Sequence, residues 1–147
     1  IKATHKGSGD VFTSTTAPIQ IIRELTSISL TLSPQPNVLF AGTTRERSDI
    51  TATLTLTGGI PFPHQKIYFE ICDSAGANID IGYFKDNIAI KTRFTDENGI
   101  AKAAYIGPIA SEIATDTTVY IKATLKGAGT PVITTTTSIQ IIRDVVN

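Results

Sequence analysis

Apolar residues alternate with polar ones along most of this chain, and no segment of ten or more residues repeats them at helical spacing with caps. Residues 50–57 show it best: Ile50, Ala52, Leu54 and Leu56 interleave with Thr51, Thr53, Thr55 and Thr57. A period of two sends one set to each face of a strand, so this segment predicts an aliphatic face against a core and a threonine face toward water. The same pattern predicts inward faces at Ile28, Leu30 and Leu32, at Ile67, Phe69 and Ile71, at Ala101, Ala103 and Tyr105, and at Val119, Ile121, Ala123 and Leu125. Shorter strands are expected over 38–41, 81–84 and 88–94. Turn chemistry separates them: Gly58-Gly59-Ile60-Pro61-Phe62-Pro63, then Thr95-Asp96-Glu97-Asn98-Gly99, then Gly107-Pro108. Pro34 and Pro36 mark an edge or bend, because proline cannot donate to a ladder. Residues 109–116 leave room for one helical turn. Seven to nine short strands at roughly ten-residue spacing predict an all-β, two-sheet antiparallel sandwich.

One segment occurs twice. Residues 1–23, IKATHKGSGDVFTSTTAPIQIIR, return at 121–143 as IKATLKGAGTPVITTTTSIQIIR, with 14 of 23 positions identical at an ungapped offset of 120. Self-similarity at a fixed spacing marks a tandem repeat. Each copy reads as a β-hairpin: strand 1–6, a turn at Gly7-Ser8-Gly9-Asp10, strand 11–22; and strand 117–126, a turn at Gly127-Ala128-Gly129, strand 132–142. The chain therefore divides into 1–24, the C-terminal hairpin of a preceding repeat or a donor-strand segment; 25–144, one complete repeat; and 145–147, the start of a further linker. A unit of about 120 residues removes roughly two-thirds of its unfolded surface on folding and should stand as a domain by itself. Arg23-Glu24-Leu25-Thr26 holds no Pro, Gly or Ser run, so the junction should be short and stiff and the array rod-like. The chain opens with Ile in mid-repeat, and its natural ends are expected to lie elsewhere.

Composition narrows the partners. Net charge is +0 with 18% charged residues, and no basic run points to nucleic acid or an anionic membrane. The densest cluster, Arg45-Glu46-Arg47, mixes signs and reads as a solvated loop. Cys72 is the single cysteine and tryptophan is absent, so neither an intrachain disulfide nor a cysteine-rich zinc site can form. The disulfide and tryptophan of antibody domains are thereby missing. No apolar run approaches 18 residues, and no signal peptide is visible.

Three segments, in order, resemble the bacterial immunoglobulin-like repeat of the invasin and intimin type, group 1. ISLTLSPQPNVLFAG followed by DITATLTLTGG is the first. GIPFPHQKIYFEI is similar to that family's Gly-x-Pro-hydrophobic-Pro-Gly-x-x-Val-x-Phe turn and strand, with His64 in a glycine place and Ile67 and Phe69 in the Val and Phe places. FTDENGIAKAAYIG is similar to its Thr-Asp-x-x-Gly-x-Ala turn and strand, through Thr95, Asp96, Gly99 and Ala101. The resemblance implies an immunoglobulin-like sandwich in an extracellular, cell-surface adhesin of a bacterium or archaeon, where tandem repeats form a stalk. Long excursions at 73–90 and 107–116 depart from the family pattern and could cover a sheet edge or meet a neighbour.

Residues that could carry chemistry are scattered. His5 and His64 lack metal-ligand spacing to Cys, Asp or Glu and read as structural or solvent-facing. Asp73, Asp80, Asp86, Asp96 and Glu97 are loop acids without calcium-loop spacing; the one cation site left open is structural calcium at a domain junction through Glu24 or Asp144. Cys72 stands opposite in parity to Ile67, Phe69 and Ile71, with no basic partner nearby, and reads as an incidental thiol. No nucleophile elbow, phosphate-cradling glycine loop or zinc-protease motif occurs, so no catalytic, cofactor or metal residues are assigned and the chain is read as non-enzymatic. Tyr68, Tyr83, Phe84 and Tyr120 are the sole candidates for stacking on a sugar, with Phe84 better suited to a core. The threonine rows, Thr51 to Thr57 and Thr134 to Thr137, read as a solvated sheet face rather than an ice-binding lattice.

Two functions follow. One is a structural spacer repeat in the stalk of a large surface adhesin, partnered by neighbouring repeats. The other is a building block of an extracellular filament or sheath, with residues 1–24 exchanged between identical chains, since a hairpin with unpaired edges seeks a sheet.

Overall fold

A computed structural model describes residues 2–6, 12–19, 27–127 and 132–145. Its strands in chain order are β1 (Lys2–Lys6), β2 (Phe12–Thr16), β3 (Ile28–Gln35), β4 (Val38–Ala41), β5 (Arg47–Leu56), β6 (Ile60–Pro61), β7 (Lys66–Cys72), β8 (Tyr83–Phe84), β9 (Ile90–Phe94), β10 (Ile100–Ile106), β11 (Thr117–Leu125) and β12 (Ile133–Arg143). Two short 3₁₀ turns, Thr57–Gly59 and Ala110–Glu112, are the described helical elements.

β3 to β12 build the two-sheet immunoglobulin-like β-sandwich that the alternation predicts. One sheet runs β3-β5-β10-β8, with β6 on the end of β5; the other runs β4-β12-β11-β7-β9. The inward faces are the expected ones: Ile50, Ala52 and Leu54 of β5, Ile67 and Phe69 of β7, and Val119, Ile121 and Ala123 of β11 are fully buried. Phe69 and Phe84 meet edge to face, centroids 6.4 Å apart at 64°. Each such aliphatic or aromatic side chain contributes about 1.5–3 kcal/mol on burial, and that sum is what drives the sheets together.

Among the described residues every strand pairing is antiparallel except one: β4 lies parallel to β12, Val38 opposite Gln140 through Ala41 opposite Arg143. The prolines explain how the chain arrives there. β3 continues through Pro34, which faces Ile50 on an edge strand where no further ladder bond is lost. The chain then crosses through the cis Gln35–Pro36 bond to the opposite sheet as β4. Ser48, fully buried, donates its hydroxyl to the Pro36 carbonyl at 2.6 Å and ties the crossing to β5.

β1 and β2 form a separate two-stranded sheet, paired from Lys2 opposite Thr16 to Lys6 opposite Phe12.

Candidate functional site

The three motif segments meet at one end of the sandwich. Thr95, almost fully buried, donates its hydroxyl to the Phe62 carbonyl at 2.8 Å and accepts from the Gln65 amide at 2.9 Å. The Thr95 amide donates to the Gln65 carbonyl and its carbonyl accepts from the His64 amide, both at 2.9 Å. One threonine thus stitches the proline-rich turn to the following hairpin. Asp96 accepts from the amides of Asn98 and Ile100 at 2.9 and 3.0 Å, and shapes the turn. Gly99 sits at φ +73, and an added Cβ would fall 2.3 Å from the Leu54 carbonyl oxygen, so no other residue fits there. His64 occupies the left-handed region at φ 59, which explains the glycine of the family pattern. It pairs with Glu97 at 2.8 Å, both side chains largely exposed.

Arg45-Glu46-Arg47 is exposed, as expected of a solvated segment, but its side chains are engaged. Arg45 makes a two-pronged ion pair with Glu112, donates to the Gly107 carbonyl at 3.0 Å and lies 5.1 Å over the Tyr83 ring. Glu112 also accepts from the Ile109 amide at 3.2 Å. Arg45 holds the Glu112 carboxyl below the usual carboxylate range, foremost by its hydrogen bonds. Glu46 accepts from the Phe40 amide, and its carbonyl from the Gly107 amide, each at 2.8 Å. The 107–116 excursion is thereby strapped to the sandwich rather than left hanging. Opposite charge at sequence distance cannot be paired without knowing the fold, which is why the strap was illegible.

The other singled-out residues separate. Asp73 accepts from the Ala75 and Ala77 amides, both at 2.9 Å, and turns the chain of the 73–82 excursion. That excursion bridges Asn78 back to Cys72, whose thiol is fully buried although its parity is outward. Burial pushes the thiol's pKa up, away from a reactive thiolate. Asp80 lines a shallow depression with Arg45 and Glu112. Among the described residues no three His, Cys, Asp or Glu side chains gather where they could hold a metal ion. Asp144 donates its amide to the Ala41 carbonyl at 2.9 Å, while Glu24 and the His5 side chain lie outside what the structure describes. Phe84 is core; Tyr83 lies under Arg45, Tyr68 under Lys66, and Tyr120 on the outer face of β11, so the aromatics form no common platform. The threonine rows also divide. Thr134 and Thr136 are exposed, whereas Thr135 and Thr137 share the side of Ile139 and Ile141 and are half-buried.

The leading hairpin reproduces the closing one. Pairing of Lys2, Ala3, Thr4 and His5 with Thr16, Thr15, Ser14 and Thr13 is, shifted by 120, the pairing of Lys122, Ala123, Thr124 and Leu125 with Thr136, Thr135, Thr134 and Ile133. In the sandwich, β11–β12 sits between β7 and β4. Its buried positions from residue 121 onward are Ile121, Ala123, Leu125, Ile139 and Ile141, and the sequence has Ile1, Ala3, His5, Ile19 and Ile21 at the equivalent places. Identity is kept at four of these five places; His5 stands where Leu125 is buried. Ile139 is fully buried, while its counterpart Ile19 is 58% exposed.

A second surface was also illegible. Arg47, Lys85, Lys91, Arg93 and Lys102 line one cleft of about 400 Å³ along the seam between the sheets. Arg47 bonds Asp49 at 2.7 Å and Lys91 bonds Asp86 at 2.8 Å. These cations come from four separate stretches and make no run in the sequence.

Fold and surfaces together define an immunoglobulin-like β-sandwich domain. No family model matches the chain, and no curated protein does. Similar solved structures include the major subunit of aggregative adherence fimbriae type I from Escherichia coli, 11% identical over 86% of this chain and 100% of that one, with a TM-score of 0.48. A CARDB domain from Pyrococcus furiosus is 12% identical over 84% of this chain and 100% of its own, with a TM-score of 0.45. A Caenorhabditis elegans member of the MSP family is 11% identical over 76% of this chain and 94% of its own, with a TM-score of 0.39. Likeness at this level concerns the sandwich alone.

Proposed function

We propose that this chain is a structural repeat of a large extracellular surface protein, a non-enzymatic spacer of the invasin and intimin kind, in which sandwiches follow one another in tandem. One observation carries the reading: β1–β2 has the register of β11–β12, within a segment that repeats four of its five compared core residues, but stands outside both sheets of this sandwich. A two-stranded hairpin is marginal in water by itself. It belongs between the counterparts of β7 and β4 in another unit. In the spacer reading that unit precedes this one in the same polypeptide, and the junction through 17–27 runs from the last strand of one sandwich into β3 of the next.

The same exposed Ile19 fits equally a second reading, in which the receiving sandwich belongs to a different chain and the protein is a filament subunit held by strand exchange. Near-atomic electron microscopy of the intact assembly separates the two. A leading hairpin continuous with the sandwich it completes means a stalk; one that completes a sandwich in another chain means a filament. A hairpin docked on its own 27–127 sandwich overturns both.

A further inference from the structure

We propose that the seam between β9 and β10 is a binding site for an acidic polysaccharide, recognised through its carboxylate or sulfate groups by Lys85, Arg93 and Lys102. The cleft exists because β8 is short. It pairs only with Tyr105 and Ile106 of β10, and the Lys85 amide takes the Ala104 carbonyl at 2.9 Å. Beyond that point β10 has no described strand partner on this side and faces β9, the edge of the other sheet. Buried Ala103 and Ala104 make the floor, so nothing bulky fills the gap.

Charge is concentrated there. The chain is neutral overall, yet five of its 13 Lys and Arg residues line this one cleft. The carboxylates that answer them are Asp49 on Arg47 and Asp86 on Lys91. Lys85, Arg93 and Lys102 are exposed and have no ion pair among the described residues. Asp86 shows what the site favours: Lys91 first, then Lys85 and Arg93, hold its carboxyl below the usual range. The cleft therefore already stabilises one carboxylate and keeps cations over for more.

Other polyanions fit less well. The lining has no aromatic side chain on which an unpaired base of a single-stranded nucleic acid could stack. An acidic peptide added as a strand needs a run of free ladder groups. Here the Ile100 carbonyl is taken by the Asp96 amide and the Ala104 carbonyl by the Lys85 amide, so Ala101 to Ala103 is all that remains. Recognition must come from the side chains, which suits a hydrophilic chain bearing regularly spaced anions. Lysine on sheet edges also blocks edge-to-edge association, and the experiment must tell that role apart.

The test is calorimetric titration of the 147-residue chain with a heparin oligosaccharide, with polygalacturonate, with neutral dextran and with sodium sulfate. Binding to at least one acidic polymer is expected, weakening steeply as salt rises, with none to dextran. The K85Q/R93Q/K102Q chain should bind about tenfold more weakly or less, since each lost cation removes a charge-assisted contact. D86N, which removes the competing carboxylate, should bind more tightly, and K66Q, on the outer face of β7, should bind as the parent does. The proposal is overturned if neither acidic polymer binds or if the triple variant keeps its affinity. It is equally overturned if free sulfate competes at the polymer's own anion concentration, which marks a simple ion site. A triple variant that self-associates with polymer binding unchanged would make these residues edge guards.

Discussion

Single residues decide the joints of this domain. Thr95 satisfies a carbonyl and an amide on the neighbouring turn, so Thr95→Val leaves two polar groups unpaired in a nearly water-free place. That should lower stability by about 1–3 kcal/mol, read from urea unfolding at constant slope. His64 works in the opposite sense. It holds a left-handed backbone at φ 59 in return for an exposed pair with Glu97, which is worth little. His64→Gly relieves that strain and should leave the domain equally stable or more stable by up to about 1 kcal/mol. A midpoint that drops instead would show the exposed pair outweighing the strain. Glu112 gives a pH signature. Its folded pKa is depressed by Arg45, so its stabilisation is fully present above the ordinary glutamate value of 4.5 and fades as pH falls through the lower folded value. Thermal unfolding followed downward from that pH should weaken less in Glu112→Gln than in the parent chain.

Strands succeed or fail as alternating faces. β5 is the central case, paired with β3 on one side and β10 on the other, with Ile50, Ala52 and Leu54 inward. Leu54→Asp places a charge with no partner at a fully buried site. The cost is several kcal/mol, of the order of the whole stability of a domain this size, so the variant should be unfolded by circular dichroism at 25 °C. A folded Leu54→Asp chain would mean that the faces of β5 are reversed. Alternation predicted β5, β7, β10 and β11 because each has one face in the core and one outside. It fails at the edges. Phe94 and Ile90 of β9 are apolar but 65% and 50% exposed, and Cys72 points outward yet is covered by a loop. Periodicity names the face of a strand; only the neighbours decide whether that face is buried.

At the scale of the whole molecule, the leading hairpin is the open question. Ile19→Asp distinguishes this chain from the assembled protein. In this chain the side chain is mostly in water, and its replacement should shift the unfolding midpoint by no more than about 0.5 kcal/mol. In the assembly the same position is expected to fill the place that Ile139 fills here, and the substitution should unfold or detach the receiving sandwich. Limited proteolysis of both, followed by mass spectrometry, reads the difference. Equal, negligible effects in the two settings would contradict the tandem reading.

The sequence by itself determined the class of fold, the inward faces of the central strands, the turns and the duplication. These rest on short-range rules: a period of two, β-branched residues, Gly and Pro where the backbone must bend, and self-comparison at 120 residues. It also marked Thr95, Asp96 and Gly99 as a unit, though not their contact with Phe62 and Leu54. Tertiary structure alone decided the parallel β4–β12 pair, the Arg45–Glu112 strap, the burial of Cys72 and the gathering of five cations at one seam. All but the covering of Cys72, which the adjoining loop supplies through Asn78, join residues far apart in the chain through strand order and register. The same local pattern is compatible with many sheet orders, and long-range packing selects the one in which these side chains meet.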